Sequence, residues 1–161
     1  MPYAVLALLL VLLDQGVKYL VLTKIPLGGH VPFLPHLLEL TYVQNTGAAF
    51  SILEAHTWLL ALVSLVMSAL LAWALFKPLF RHPLGRFFLA LVLAGAVGNL
   101  IDRALRGFVV DMFNVLFMNF AVFNVADICV VCGGIAFCVY FAFFYDKYEK
   151  GAPHDQSDTH R

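Results

Sequence analysis

The sequence predicts an all-α membrane protein with four transmembrane helices and a small extracytoplasmic β region. Three observations lead there. Hydrophobic residues make up 62% of the 161-residue chain and charged residues only 12%, more apolar surface than a soluble domain of this size can bury. The apolar residues fall into four long runs with few or no charges, as expected of helices crossing a hydrocarbon core about 30 Å thick. Between the first two runs lies a Pro- and Gly-rich stretch with one alternating segment, which reads as turns and strand.

The first run has no charge from Met1 to Leu13. It lacks the basic start and small-x-small site of a cleaved leader, so it reads as a retained span over about 3–22. Asp14 and Lys18 lie one i,i+4 step apart near its end, on one face, where they can pair. Lys18 can also extend toward headgroups. The outward β region covers about 24–54, where Pro26, Gly28, Gly29, Pro32 and Pro35 exclude a helix. LLELTY (37–42) alternates in part as a strand does, and Asn45-Thr46-Gly47 reads as a turn.

The second span covers about 55–76 and carries no Asp, Glu, Lys or Arg from Ala55 on. A short basic loop with Lys77, Arg81 and Arg86 follows it. The third span covers about 84–101 and ends with Asp102 and Arg103, read as an interfacial ion pair. Residues 104–123 form a second connection, with Gly107 its clearest break, and the fourth span covers about 127–145. Residues 1–146 thus form one membrane domain, and 147–161 a polar cytoplasmic tail. Lys77, Arg81, Arg86, Lys147 and Lys150 place the short loop and both termini in the cytoplasm. Lys24, Arg103 and Arg106 run against that orientation. It brings Asp14, Asp102, Asp111 and Asp127 together near the outer leaflet, where ionisable groups default to a functional role.

Asn99, Asp102 and Arg103 share one helix face. Asn124 suits the N-cap of the last helix, making Asp127 its N3 residue, beside the positive end of the helix dipole. Asp111 follows Val109-Val110 in a short extended connection. If Asp111 and Asp127 approach closely, they share one proton between them. Such a pair can activate water and protonate a leaving amine. The Cys129-x-x-Cys132 pair has no second pair and no nearby His, so it reads as small residues at a helix contact rather than a zinc site. No H-E-x-x-H or G-x-S-x-G occurs. Neither metal nor cofactor is called for, and no basic patch suggests nucleic acid. The residues alone leave a hydrolase, a proton-coupled transporter and a membrane assembly factor open, although no internal repeat supports the transporter.

DQGVK (14–18), QNTGAAFS (44–51), GAVGNLIDR (95–103), VVDMF (109–113) and FNVADIC (123–129) occur in that order. With these five segments the chain resembles lipoprotein signal peptidase, the type II signal peptidase of bacteria, over all but its tail. The resemblance implies a four-helix inner-membrane aspartyl endopeptidase, probed by globomycin. It would remove the signal peptide from diacylglyceryl-modified prolipoproteins, cutting just before the lipidated cysteine. The implied dyad is Asp111 and Asp127, supported by Asp14, Lys18, Asn45, Asn99, Arg103 and Asn124, with Asp102 structural. A periplasmic helical loop is implied over about 104–122. The implied partners are the prolipoprotein substrates and membrane lipids, the enzyme acting as a monomer. Many members follow NVAD with Ser; here Ile128 stands there and removes a hydroxyl beside the dyad.

Overall fold

The computed structural model describes residues 1–47, 57–77 and 79–148. Four helices are α1 (Pro2–Lys24), α2 (Thr57–Phe76), α3 (Pro83–Arg106) and α4 (Val125–Tyr148). All four are long and apolar enough to cross a membrane. Their outer faces carry exposed Leu8, Leu12, Trp58, Leu65, Ile135 and Phe143, side chains suited to acyl chains. Three strands, β1 (His30–Leu34), β2 (Leu38–Asn45) and β3 (Val109–Val115), form an antiparallel sheet in the order β1-β2-β3.

The middle of the bundle is α3, which packs against α1, α2 and α4. Small residues let it do so. A Cβ added at Gly95 would meet the Ala126 carbonyl oxygen and the Val130 side chain of α4. One added at Gly133 of α4 would lie 2.8 Å from Leu91 Cβ of α3. Without a hydrophobic driving force between helices in lipid, such close backbone approach supplies the packing. Ala7, Leu75, Leu89, Ala90, Leu93 and Ala94 close the bundle away from the sheet. At the sheet end, Val21 and Ile25 pack on Tyr42, Val110 and Met112 and seal β2 and β3 onto α1.

Helix ends follow their residue types. His82 caps α3 by accepting the Leu84 N–H at 3.3 Å, with Pro83 at the first helical position. Gly107 ends it in the left-handed region (φ 77°), donating its N–H to Arg103 O. Thus α3 runs past the expected end at residue 101 to Arg106, which sets Arg106 one turn beyond Asp102. The connection at 104–122, implied to be helical, departs from that expectation. Val109–Val115 is strand β3, since β-branched and aromatic side chains here pack well on a sheet face and the backbone pairs with β2. Asn45-Thr46-Gly47 turns as expected, Asn45 Oδ1 accepting the Gly47 N–H at 3.0 Å. The rest of the NTGAAFS segment (48–51) and residues 149–161 of the tail lie outside the described residues. The expected tail start at 147 falls inside α4.

Gly95→Ala is expected to destabilise the α3–α4 contact by about 1–3 kcal/mol. Gly134→Ala, where an added Cβ meets nothing within 4 Å, is expected to be neutral. Thermal unfolding of the two variants in the same detergent checks the contrast.

Candidate active site

The site is built outward from a buried ammonium. Lys18 is fully buried on α1, and its Nζ has three acceptors: Asp14 Oδ2 at 2.9 Å, Asp102 Oδ2 at 2.9 Å and Asn99 Oδ1 at 3.0 Å. Three donors meet three acceptors, so the ammonium is satisfied without water. A buried charge left short of partners would cost several kcal/mol on the order of its desolvation. Asp14 is itself held by α4, its Oδ1 accepting the Ala126 N–H at 2.9 Å. Gly98 makes room for it: a Cβ there would lie 2.7 Å from Asp14 Oδ2.

Each amide around the carboxylates has its orientation dictated by a fixed donor. Asn99 Oδ1 accepts from Lys18, so its Nδ2 must face Asp127 Oδ1, at 2.7 Å. Asn124 Oδ1 accepts the Asp127 N–H at 2.9 Å, and the Asn124 N–H returns to Asp127 Oδ2 at 3.1 Å. This is a reciprocal cap at the start of α4, with Asp in place of the usual Glu or Gln. Asn124 Nδ2 is then left to donate to Asp111 Oδ1 at 2.6 Å and to Asn99 Oδ1 at 3.2 Å. Asn45 Oδ1 is taken by Gly47, so its Nδ2 donates to Asp111 Oδ2 at 2.9 Å. The sheet register explains this last contact: Asn45 pairs with Val109 and reaches Asp111 on the diagonal. Asp111 and Asp127 are thus bridged by Asn124, and among the described residues the hydrogen bonds to their carboxylates all come from N–H donors.

Arg103 behaves differently from its expected pairing with Asp102. Its Nη2 donates to Gly47 O at 3.3 Å and ties the turn after β2 to α3. Its charge lies near Asp127 and Asp111. Asp102 pairs instead with Lys18 and with Arg106, whose Nη1 lies 2.5 Å from Asp102 Oδ1. Within the face shared with Asn99 the helical step decides the pairing: Arg106 lies one full turn on from Asp102 (i+4), whereas the adjacent Arg103 projects about 100° around the helix, toward Gly47. Gln15 and Arg106 were not singled out from the sequence. Gln15 Nε2 reaches Asp14 Oδ2, Gly98 O and Asp102 Oδ1 at 3.1–3.2 Å. A polar amide directly after Asp14, inside an apolar run, was the signal available. Cys129 is buried as expected of a contact residue, while Cys132 is exposed. Among the described residues no three His, Cys, Asp or Glu side chains converge as metal ligands.

The formal charges nearly cancel. Asp14, Asp102, Asp111 and Asp127 stand against Lys18, Arg103 and Arg106, so a single proton on the carboxylates makes the cluster neutral. Asp111 is where the proton is best held: it is buried like Asp14 and Asp102 but, among the described residues, makes no ion pair as they do. Desolvation first, then the nearby Asp127 charge, raises its pKa from the ordinary value to about 6, against the Asn45 and Asn124 hydrogen bonds and the Lys18 charge.

Residues 6–144 match the family model described as signal peptidase (SPase) II. The lipoprotein signal peptidase of Streptococcus pneumoniae (strain ATCC BAA-255 / R6) is 47% identical over 135 residues, 82% of this chain and 86% of that protein. The lipoprotein signal peptidase of Enterococcus faecalis (strain ATCC 700802 / V583) is 40% identical, over 98% of this chain and 95% of its own. A solved bacterial membrane enzyme structure, obtained by the in meso method at 2.3 Å, superposes with a TM-score of 0.82 at 28% identity, covering 95% of this chain and 93% of that one.

The raised Asp111 pKa has a consequence for stability. The native state binds this proton more tightly than the unfolded chain does. The stability it contributes is therefore full below the ordinary carboxylate pKa of 3.8 and is lost as pH rises through about 6. Asp111→Asn is expected to be more stable than the parent at about pH 7.5, by roughly 2–3 kcal/mol, with the advantage gone at about pH 4. Denaturant unfolding in detergent at both pH values measures it; an equal advantage at both would contradict the assignment.

Proposed function

Because the chain belongs to the signal peptidase II family of aspartic peptidases, we propose that Asp111 and Asp127 are its catalytic dyad. In this reading the protein is an intramembrane endopeptidase that removes signal peptides from diacylglyceryl-modified prolipoproteins, cutting just before the lipidated cysteine. The single observation that carries it is the bridge through Asn124, which donates to Asp111 and exchanges two hydrogen bonds with Asp127. Both carboxylates are held by asparagine amides whose own oxygens are engaged elsewhere.

The chemistry follows from the proton count. Asp127, at the N-terminus of α4 and with two N–H donors on its oxygens, serves as the base that takes a proton from the attacking water. Asp111, whose pKa near 6 lets it exchange a proton within reach of neutral pH, donates to the leaving amine. Neither metal nor organic cofactor enters this scheme. Asn45, already hydrogen-bonded to Asp111, also faces the extended substrate from the end of β2. Lys18, Asp14, Asn99, Arg103 and Asn124 support the pair, and Asp102 holds them in place.

The protein is a multi-pass membrane protein. We assign it to the inner membrane, with both termini cytoplasmic and the dyad near the outer leaflet, acting as a monomer. This orientation rests on the basic loop and the lysines after the fourth span. The lipid anchor of the substrate then brings the scissile bond to a fixed depth, which supplies proximity.

Purified protein incubated with a diacylated prolipoprotein peptide is expected to cleave it, and globomycin to block cleavage. Asp111→Asn and Asp127→Asn are each expected to lower turnover by at least roughly a thousandfold while the protein still accumulates. Cleavage retained by either variant would remove the dyad assignment. Asn45→Ala is expected to lower turnover by roughly tenfold with the fold intact; unchanged turnover would remove its proposed contact with substrate.

A further inference from the structure

Asp102 touches neither Asp111 nor Asp127, yet it holds the chain that carries Asp111. Its Oδ2 accepts the Val110 N–H at 3.1 Å as well as Lys18 Nζ at 2.9 Å. Its Oδ1 accepts Arg106 Nη1 at 2.5 Å and Gln15 Nε2 at 3.2 Å. Val110 is fully buried and immediately precedes Asp111. The Gly107 turn brings the chain back so that this hydrogen bond can close. One carboxylate therefore joins α3 to β3 and sets where Asp111 stands relative to Asn124 and Asp127.

What fixes that carboxylate comes from its other oxygen. Arg106 donates to Asp102 Oδ1 and also to Gln15 Oε1, at 3.3 Å. Occupying Gln15 Oε1 turns the Gln15 amide nitrogen toward Asp102, Asp14 and Gly98 O. Arg106 thus acts on Asp102 twice, directly and through Gln15. Its side chain is 25% exposed, so it is also the point at which water would enter the cluster if it were shortened.

We propose that Arg106 and Gln15 are positioning residues for the peptidase reaction, acting through the Asp102 carboxylate and the Val110 peptide on Asp111. The proposal rests on the assignment of Asp111 and Asp127 as the dyad. Losing Arg106 takes the charged donor from Asp102 Oδ1 and frees Gln15 Oε1, leaving Gln15 Nε2 as that carboxylate oxygen's remaining donor among the described residues. The carboxylate can then rotate off the Val110 N–H and let Asp111 drift from Asp127. The charged groups that face Asp111 are Asp127 from α4, Lys18 from α1 and Arg103 from α3. Moving away from Asp127 and gaining water both lower the pH at which Asp111 gives up its proton.

The test compares the parent with Arg106→Ala, Arg106→Lys and Asp111→Asn on one diacylated prolipoprotein peptide, as kcat, KM and the pH profile of kcat. Arg106→Ala is expected to lose roughly tenfold or more in kcat, with KM within about twofold and the limb of the profile that Asp111 sets moved to lower pH. Arg106→Lys, which keeps a donor within reach of Asp102, restores most of both. If Arg106→Ala does not accumulate, Gln15→Ala removes the second donor to the same oxygen and is judged by the same criteria. A pH profile that stays in place, with or without a lower melting temperature, overturns the proposal. So does a kcat that does not change. Asp111→Asn separates the two levels: if it still cleaves, the dyad assignment fails; if it is inactive while Arg106→Ala keeps the parent profile, only this proposal fails.

Discussion

Everything at the sheet end of the bundle depends on the Lys18 ammonium. It is fully buried and must have three acceptors, and the acceptors come from α1 and α3. That requirement locks Asp14 and Asp102 as counter-charges and turns Asn99 so that its nitrogen faces Asp127. From there each amide fixes the next, through Asn124 to Asp111 and from Asp111 to Asn45. A buried network of this kind is costly if half satisfied and rigid if complete. Here the amides and carboxylates around Asp111 and Asp127 are hydrogen-bonded, while the Arg103 Nε has no partner among the described residues. The completed part is how a small membrane protein holds two acids near each other.

The membrane decides how the helices meet. Lipid offers no hydrophobic gain for helix association, so α3 and α4 approach through glycines. Close approach lets Asp14 of α1 reach the first turn of α4 across Gly98. The sheet completes the site from one end: β2 brings Asn45, β3 brings Asp111, and Val110 and Met112 bury beneath them. Packing in the bundle and pairing in the sheet thus converge on the same few polar atoms.

Much of this was legible in the sequence, for local reasons. Asn124 three before Asp127 reads as a cap because capping is a short-range pattern, and the structure has that cap. Asp14 and Lys18 pair because i,i+4 residues on a helix face each other. The four spans follow from hydropathy, since lipid tolerates little else. Long-range choices were less legible. Asp102 could pair with Arg103, Arg106 or Lys18, and spacing alone did not show that α3 continues far enough to offer Arg106. The strand at Val109–Val115 depends on pairing with β2, seventy or so residues away in the chain. Gln15 sits inside a segment that carried the family resemblance, but its role needs the geometry of two helices, since it touches Gly98 and Asp102 of α3 while lying beside Asp14 on α1.

In the proposed mechanism one proton stays on the acids, and Asp111 holds it. An infrared titration of the carboxyl C=O stretch in the detergent-solubilised protein measures this directly, comparing the parent with Asp111→Asn. The account predicts one buried protonated carboxyl that titrates near pH 6 in the parent and is missing from the variant. A band that persists unchanged in Asp111→Asn, or no such band in the parent, would contradict it.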